Sequence, residues 1–160
     1  MLRIGLISDT HGLLRPEAGR FLRGSDHIIH AGDIGNAGVL GELAQIAPVT
    51  AVRGNNDAAD WAAHLPETQS LTLGGVSIFV LHDLKELETR PGPVDVQVVI
   101  CGHSHKPQVL RRRSGVLIIN PGSAGPRRFK LPVTAAELMI SSENTFCAQV
   151  VHLLPVAHTA

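Results

Sequence analysis

The chain has no tyrosine, one tryptophan and four phenylalanines among its 160 residues. Phe21, Trp61, Phe79, Phe129 and Phe146 are scattered, which excludes the aromatic platform that single-stranded nucleic acids require. An excess of one charge is missing too, since Lys plus Arg and Asp plus Glu number 14 each. No overall field recruits nucleic acid or an anionic membrane, so any anion must be bound by a local arrangement. The only cysteines, Cys101 and Cys147, sit in apolar runs outside any CxxC pair, which excludes a disulfide framework and reads as two reduced core thiols. No apolar run approaches the roughly 18 residues of a membrane span, and the opening MLRIGLISD lacks the features of a signal peptide. The expectation is a cytoplasmic protein with no membrane and no stable nucleic-acid partner. Its composition suits one globular domain over residues 1–154, with 155–160 as a fraying tail.

Histidine, by contrast, is abundant, with nine residues. Two of them close the stretch VVICGHSHKP at 98–107, where an apolar run ends in imidazoles separated by one serine. Similar runs occupy Leu2 to Ser8, His27 to His30, Val49 to Arg53, Val76 to Leu81 and Val96 to Cys101, each closed by Gly, Asp or His. Short apolar runs of this kind predict strands buried on both faces. Pro16 to Leu22 and Gly38 to Ile46 predict helices, so the first half alternates as an α/β fold does. The second half predicts hairpins instead: Leu71–Leu73 with Val76–Leu81, Val109–Arg112 with Val116–Asn120, and Val133–Ile140 with Thr145–Leu153.

In open α/β sheets, working residues collect beyond the carboxyl ends of the strands. Those positions hold Asp9 and His11, Asp33, Asn55, His82, and His103 with His105. Any one of these could be an Asx turn or a helix cap. Seven oxygen and imidazole donors at five successive strand ends instead predict one site assembled from most of the chain. A mixed carboxylate, amide and imidazole set without thiolate suits Mn, Fe, Zn, Ni or Co better than Ca, and seven donors suit two ions with open positions for water.

The series DTH at 9–11, GD at 32–33, GNND at 54–57, His82 and GHSH at 102–105 resembles that of the calcineurin-like metallophosphoesterases. NPGS at 120–123 and the short chain resemble their small bacterial and archaeal phosphodiesterase subgroup. The resemblance implies a single-domain four-layer α/β/β/α sandwich. It also implies two divalent ions, Mn2+ first among them, with Asp9, His11 and His105 on one, Asn55, His82 and His103 on the other, and Asp33 between. The implied nucleophile is a water or hydroxide held between the ions, and the implied partner is a small phosphate ester, a diester or an activated ester. A homo-oligomer is compatible with this reading.

Two positions depart from the family's pattern. Many members carry a histidine where Asn56 stands, and that histidine is credited with neutralising charge or protonating the leaving group; its absence favours esters with stable leaving groups. Asp83 replaces a common glycine and would either support a ligand imidazole or repel a phosphate dianion. Asp57 is expected to orient metal ligands and so to serve catalysis beside Asp33, Asn55 and His82. His30 either supports Asp33 or is a buried histidine bonded to backbone. Asn120 and Ser123 are expected to shape a nearby loop, and Arg127, Arg128 and Lys130 are candidates to meet a substrate phosphate. Trp61 either lines the entrance or packs. The competing function is a catalytically weak or inactive metal-binding scaffold of the same fold.

Overall fold

The computed structural model describes residues 1–155. In chain order its strands are β1 (Leu2–Ile7), β2 (His27–His30), β3 (Val49–Ala51), β4 (Thr68–Leu73), β5 (Val76–Leu81), β6 (Val98–Ile100), β7 (Gln108–Arg111), β8 (Leu117–Asn120), β9 (Thr134–Ser142) and β10 (Thr145–His152). They form two five-stranded sheets, ordered β10-β9-β1-β2-β3 and β4-β5-β6-β8-β7. β1, β2 and β3 run parallel, as do β5, β6 and β8, while antiparallel strands flank each set.

Alternation along the runs sorts the core into layers. Ile4 and Leu6 of β1, Val76, Ile78 and Val80 of β5, and Leu138 of β9 face the space between the sheets. Each such side chain contributes about 1.5 to 3 kcal/mol when fully buried. The alternate residues Ile7 and Ile28 face two helices, α1 (Pro16–Leu22) and α2 (Ala37–Ala44), through Ala18, Leu22, Val39 and Leu43. Pro16 opens α1, where its missing N–H costs nothing. The Asn36 side chain opens α2 by accepting from Val39 N at 3.1 Å. On the far side, Phe79, Leu81, Val99, Cys101 and Ile118 are covered by Leu84 and Leu87 of a 3₁₀ helix at Leu84–Glu88. The fold is thus a four-layer α/β/β/α sandwich whose outer layer on the second sheet is one short segment, because Pro91, Gly92 and Pro93 stop any longer helix there.

The predicted hairpins form, and Gly74 and Gly75 both take positive φ at the β4–β5 turn, as a two-residue hairpin loop demands. The expected runs ending at Ser8, Arg53 and Cys101 stop sooner as strands, since Asp9 turns into left-handed backbone and the others enter loops. The helix expected from Gly38 to Ile46 lies at Ala37–Ala44, where the Asn36 cap sets its start. Cys147 corrects the expectation of two core thiols: Cys101 is buried, but Cys147 lies on the exposed face of β10, where Phe146, Ala148 and Val150 take the core side. Trp61 packs against the helix-side core. No helix among the described residues is long and apolar enough to cross a membrane. The tail expectation falls at 156–160 outside the described residues.

Candidate metal centre

The carboxyl ends of β1, β2, β5 and β6 open into loops at one end of the sandwich. Five residues of these loops, Asp9, His11, Asp33, His103 and His105, take positive φ without being glycine. Such conformations are uncommon outside glycine and cluster where a site requires them. Among the described residues only Phe129 shares this feature.

The loops bring the donors into two groups. Asp9, His11 and His105 form one, and Asp33, His82 and His103 the other, with donor atoms in each within 4.8 Å of one another. The carboxylates join them. Asp9 Oδ1 lies 3.5 Å from His105 Nε2 and 3.9 Å from both His11 Nε2 and His82 Nε2, and Asp33 Oδ2 lies 3.3 Å from His82 Nε2 and 3.9 Å from His11 Nε2. Asn55 is exposed on the wall of a cavity that it shares with His82 and Asp83.

Several buried donors lack hydrogen-bond partners. Asp9 Oδ1, His82 Nε2 and His105 Nδ1 are inaccessible and unsatisfied. Orphaned buried polar atoms are costly, so this concentration at one point calls for a counter-ion. The His82 ring shows the same need. Its Nδ1–H donates to Ala31 O at 2.7 Å, which in the neutral ring leaves a lone pair on Nε2 facing the Asp33 carboxylate. This donor set fits a divalent cation of the Mn, Fe, Zn, Ni or Co type.

The surroundings hold these atoms in place. Asp9 Oδ2 accepts from Ser8 Oγ at 2.8 Å and from His103 N at 3.1 Å, which ties the first loop to the last. Asp33 Oδ1 accepts from Asn56 N at 2.9 Å. Burial alone would raise the Asp33 carboxyl, but a protonated His82 ring opposite it and the hydrogen bond from the Asn56 amide bring its pKa down to about 2. Burial alone would lower His82, yet Asp33 and the charge of Asp9 leave it raised. His11 is lowered, by burial first, although Asp33 and Asp9 oppose this. Gly54 is required where it is, since a Cβ there would collide with the Asp33 backbone and carboxylate.

Asp57 is buried and does not reach into the donor groups. It accepts from Ile34 N and Gly35 N at 3.1 Å and from Gly54 N at 2.9 Å, fastening the GNND loop to the HAGD loop. His30 is buried among backbone and hydroxyl partners: Nδ1 accepts from Gly32 N at 3.1 Å and Nε2 meets Thr10 Oγ1 at 2.9 Å. Burial pushes its pKa down to about 4. Asp83 caps the 3₁₀ helix by accepting from Lys85 N and stands 3.9 Å from His103 Nε2. Asn120 donates to Gly102 O and Ser104 Oγ, and Ser123 Oγ donates to Asp9 O at 3.0 Å, so both shape the loops from buried positions. Arg127, Arg128 and Lys130 are exposed, and the charge of Arg128 reaches His11. Ser8 and Thr10 escaped the sequence reading; small polar residues flanking Asp9 at a buried strand end were the available signal.

Residues 2–143 match the calcineurin-like phosphoesterase superfamily domain. The chain belongs to this family. It is 32% identical over 132 residues to a "probable metallophosphoesterase" of Methanothermobacter thermautotrophicus, an alignment covering 75% of this chain and 76% of that one. It is 35% identical over 134 residues to one of Methanocaldococcus jannaschii, covering 75% and 67%. In fold it is similar to an archaeal phosphodiesterase, with a TM-score of 0.75 and 24% identity over 94% of this chain and all of that one. Vps29 of Chaetomium thermophilum has the same fold, with a TM-score of 0.75 and 19% identity over 94% and 95% of the two chains.

Proposed function

We propose that this phosphoesterase-family chain hydrolyses small phosphodiesters or activated phosphate esters, using a pair of divalent ions, Mn2+ first, held by Asp9, His11, Asp33, Asn55, His82, His103 and His105. The observation that carries the reading is the junction of two donor triads through Asp9 and Asp33, with acceptor atoms facing each other across it. Ions bound there would acidify a water and neutralise charge on phosphoryl oxygens. Asp33 belongs to the second triad and comes within 3.9 Å of His11 in the first, so it would join the two ions, its direction set by the Asn56 amide. His82 is aimed by Ala31 O, and Asp57 keeps the GNND and HAGD loops in register without touching the reacting atoms. Asp83 lines the cavity beside His82 and disfavours a dianionic monoester relative to a diester monoanion. A cytoplasmic setting suits the free thiols.

The rival reading is a scaffold that binds metal or protein without turnover, motivated by the fold shared with Vps29. Retention of all seven donors favours catalysis. The test is to assay the purified, Mn-loaded chain against phosphomonoesters, phosphodiesters and cyclic nucleotides. Diester hydrolysis above the metal-only background is expected, and none on any ester would leave the scaffold reading.

A further inference from the structure

The segment after Asn120 is anchored beneath the Asp9 loop. Ala124 N donates to Ser8 O at 3.1 Å, Ser123 Oγ donates to Asp9 O at 3.0 Å, and Arg15 Nε donates to Gly125 O at 3.1 Å. Beyond this anchor the chain rises into solvent as Pro126-Arg127-Arg128-Phe129-Lys130. Phe129 is 91% exposed, and every other aromatic side chain of the protein is buried or half-buried. Its φ is 53°, and Leu131 N donating to Arg128 O at 3.1 Å closes the turn that holds it. A bulky residue in left-handed backbone is strained, and a ring left in water forgoes its burial. Neither expense serves the core.

The position explains what the ring could serve. Phe129, Leu131, Lys106 and Lys130 line one shallow apolar depression, and Lys106 directly follows His105. Gly125 packs against the backbone of Asp9 and Thr10, so the arm that carries Phe129 leaves from the edge of the donor loops. The ring therefore stands at the rim of the donor groups on the His11 and His105 side, among four cations: Lys106, Arg127, Arg128 and Lys130. The opposite rim, beside His82, carries Asp83 and Glu86, and Glu67 paired with Arg53 and Arg90. The cationic side, on which Phe129 stands, is thus the side that draws an anionic ester. One isolated ring suits one base, not a polymer.

We propose that Phe129 is a stacking platform for the base of a nucleoside arm of the substrate, with the surrounding cations drawing the diester's negative charge to this side of the donor groups. This rests on the phosphodiesterase reading for its role in turnover but not for binding. The test compares thymidine 5′-(p-nitrophenyl phosphate) with ethyl p-nitrophenyl phosphate, which share a leaving group and differ in the other arm. Wild type is expected to prefer the thymidine ester, with the preference residing in KM. In Phe129→Ala the ratio of the two kcat/KM values should fall about five- to a hundredfold, the range for losing one base–aromatic stack, and Phe129→Trp should keep it. In parallel, calorimetry with thymidine 5′-monophosphate, with and without Mn2+, should show weaker binding to Phe129→Ala, whereas ribose 5-phosphate should not distinguish the two proteins. Phe129-dependent nucleotide binding without hydrolysis of either ester would sink the phosphodiesterase reading and leave the platform standing. Equal binding of the nucleotide to wild type and Phe129→Ala, or equal use of the two esters, would overturn the platform.

Discussion

His82 Nε2 and Asp33 Oδ2 are 3.3 Å apart and both are acceptors, because Ala31 O fixes the His82 proton on Nδ1. Only a cation makes that pair stable, and in the absence of metal it is a proton. The raised His82 pKa expresses the same fact. Metal and proton therefore compete for one place. The apparent affinity for Mn2+ should fall as pH is lowered through the raised His82 pKa, with protons released on binding. Calorimetry in buffers of different ionisation enthalpy measures that release. Affinity independent of pH, with no protons released, would contradict this assignment of the His82 proton.

His30 yields a stability prediction with a definite sign. Its folded pKa is about 4 against 6.5 for the free ring, so its contribution is whole above pH 6.5 and is lost as pH falls toward 4. The unfolded chain takes up the proton first. Between about pH 7.5 and about pH 5 the loss should be about 2 kcal/mol. Urea unfolding of the metal-free protein and of His30→Gln should show the gap between them narrowing by that amount. A constant gap would mean that His30 is not held neutral.

Much of this arrangement was legible in the sequence, and the reasons are local. Short apolar runs ended by Gly and Asp gave the strand ends, and six of the donors at those ends, Asp9, His11, Asp33, His82, His103 and His105, converge. What was not legible depends on contacts between distant loops. Asp57 reads as one more carboxylate in GNND, yet three backbone amides from two loops occupy it. His30 sits in HAGD beside Asp33, but Thr10 and Gly32 claim both its nitrogens. Cys147 lies in an apolar stretch whose alternation turns it outward, and only the pairing of β10 with β9 settles the face. The fourth layer is likewise reduced to one 3₁₀ helix by the Pro-Gly-Pro that follows it.

Asn56 bears on the substrate. It donates its backbone N–H to Asp33 and its side chain approaches Asp33 Oδ2 at 3.5 Å, but an amide cannot protonate a leaving alkoxide. General acid assistance is worth roughly a hundredfold to ten-thousandfold. Aryl phosphodiesters should be hydrolysed far better than alkyl monoesters, and Asn56→His should narrow the difference by raising the alkyl rate. The measurement is kcat/KM for both ester types in both proteins with the same metal. Equal rates in wild type would show that another group supplies the proton.

The central claim is that two ions joined through Asp33 make the chain a phosphodiesterase. It is tested most directly by titrating Mn2+ into chelator-stripped protein while following bis(p-nitrophenyl) phosphate hydrolysis and bound metal together. Activity should rise to a plateau at about two ions per chain. Asp33→Asn, which keeps an acceptor for the Asn56 amide, should remain folded and lose more than about a hundredfold in rate. A plateau at one ion per chain, or near-normal turnover by folded Asp33→Asn, would contradict the account.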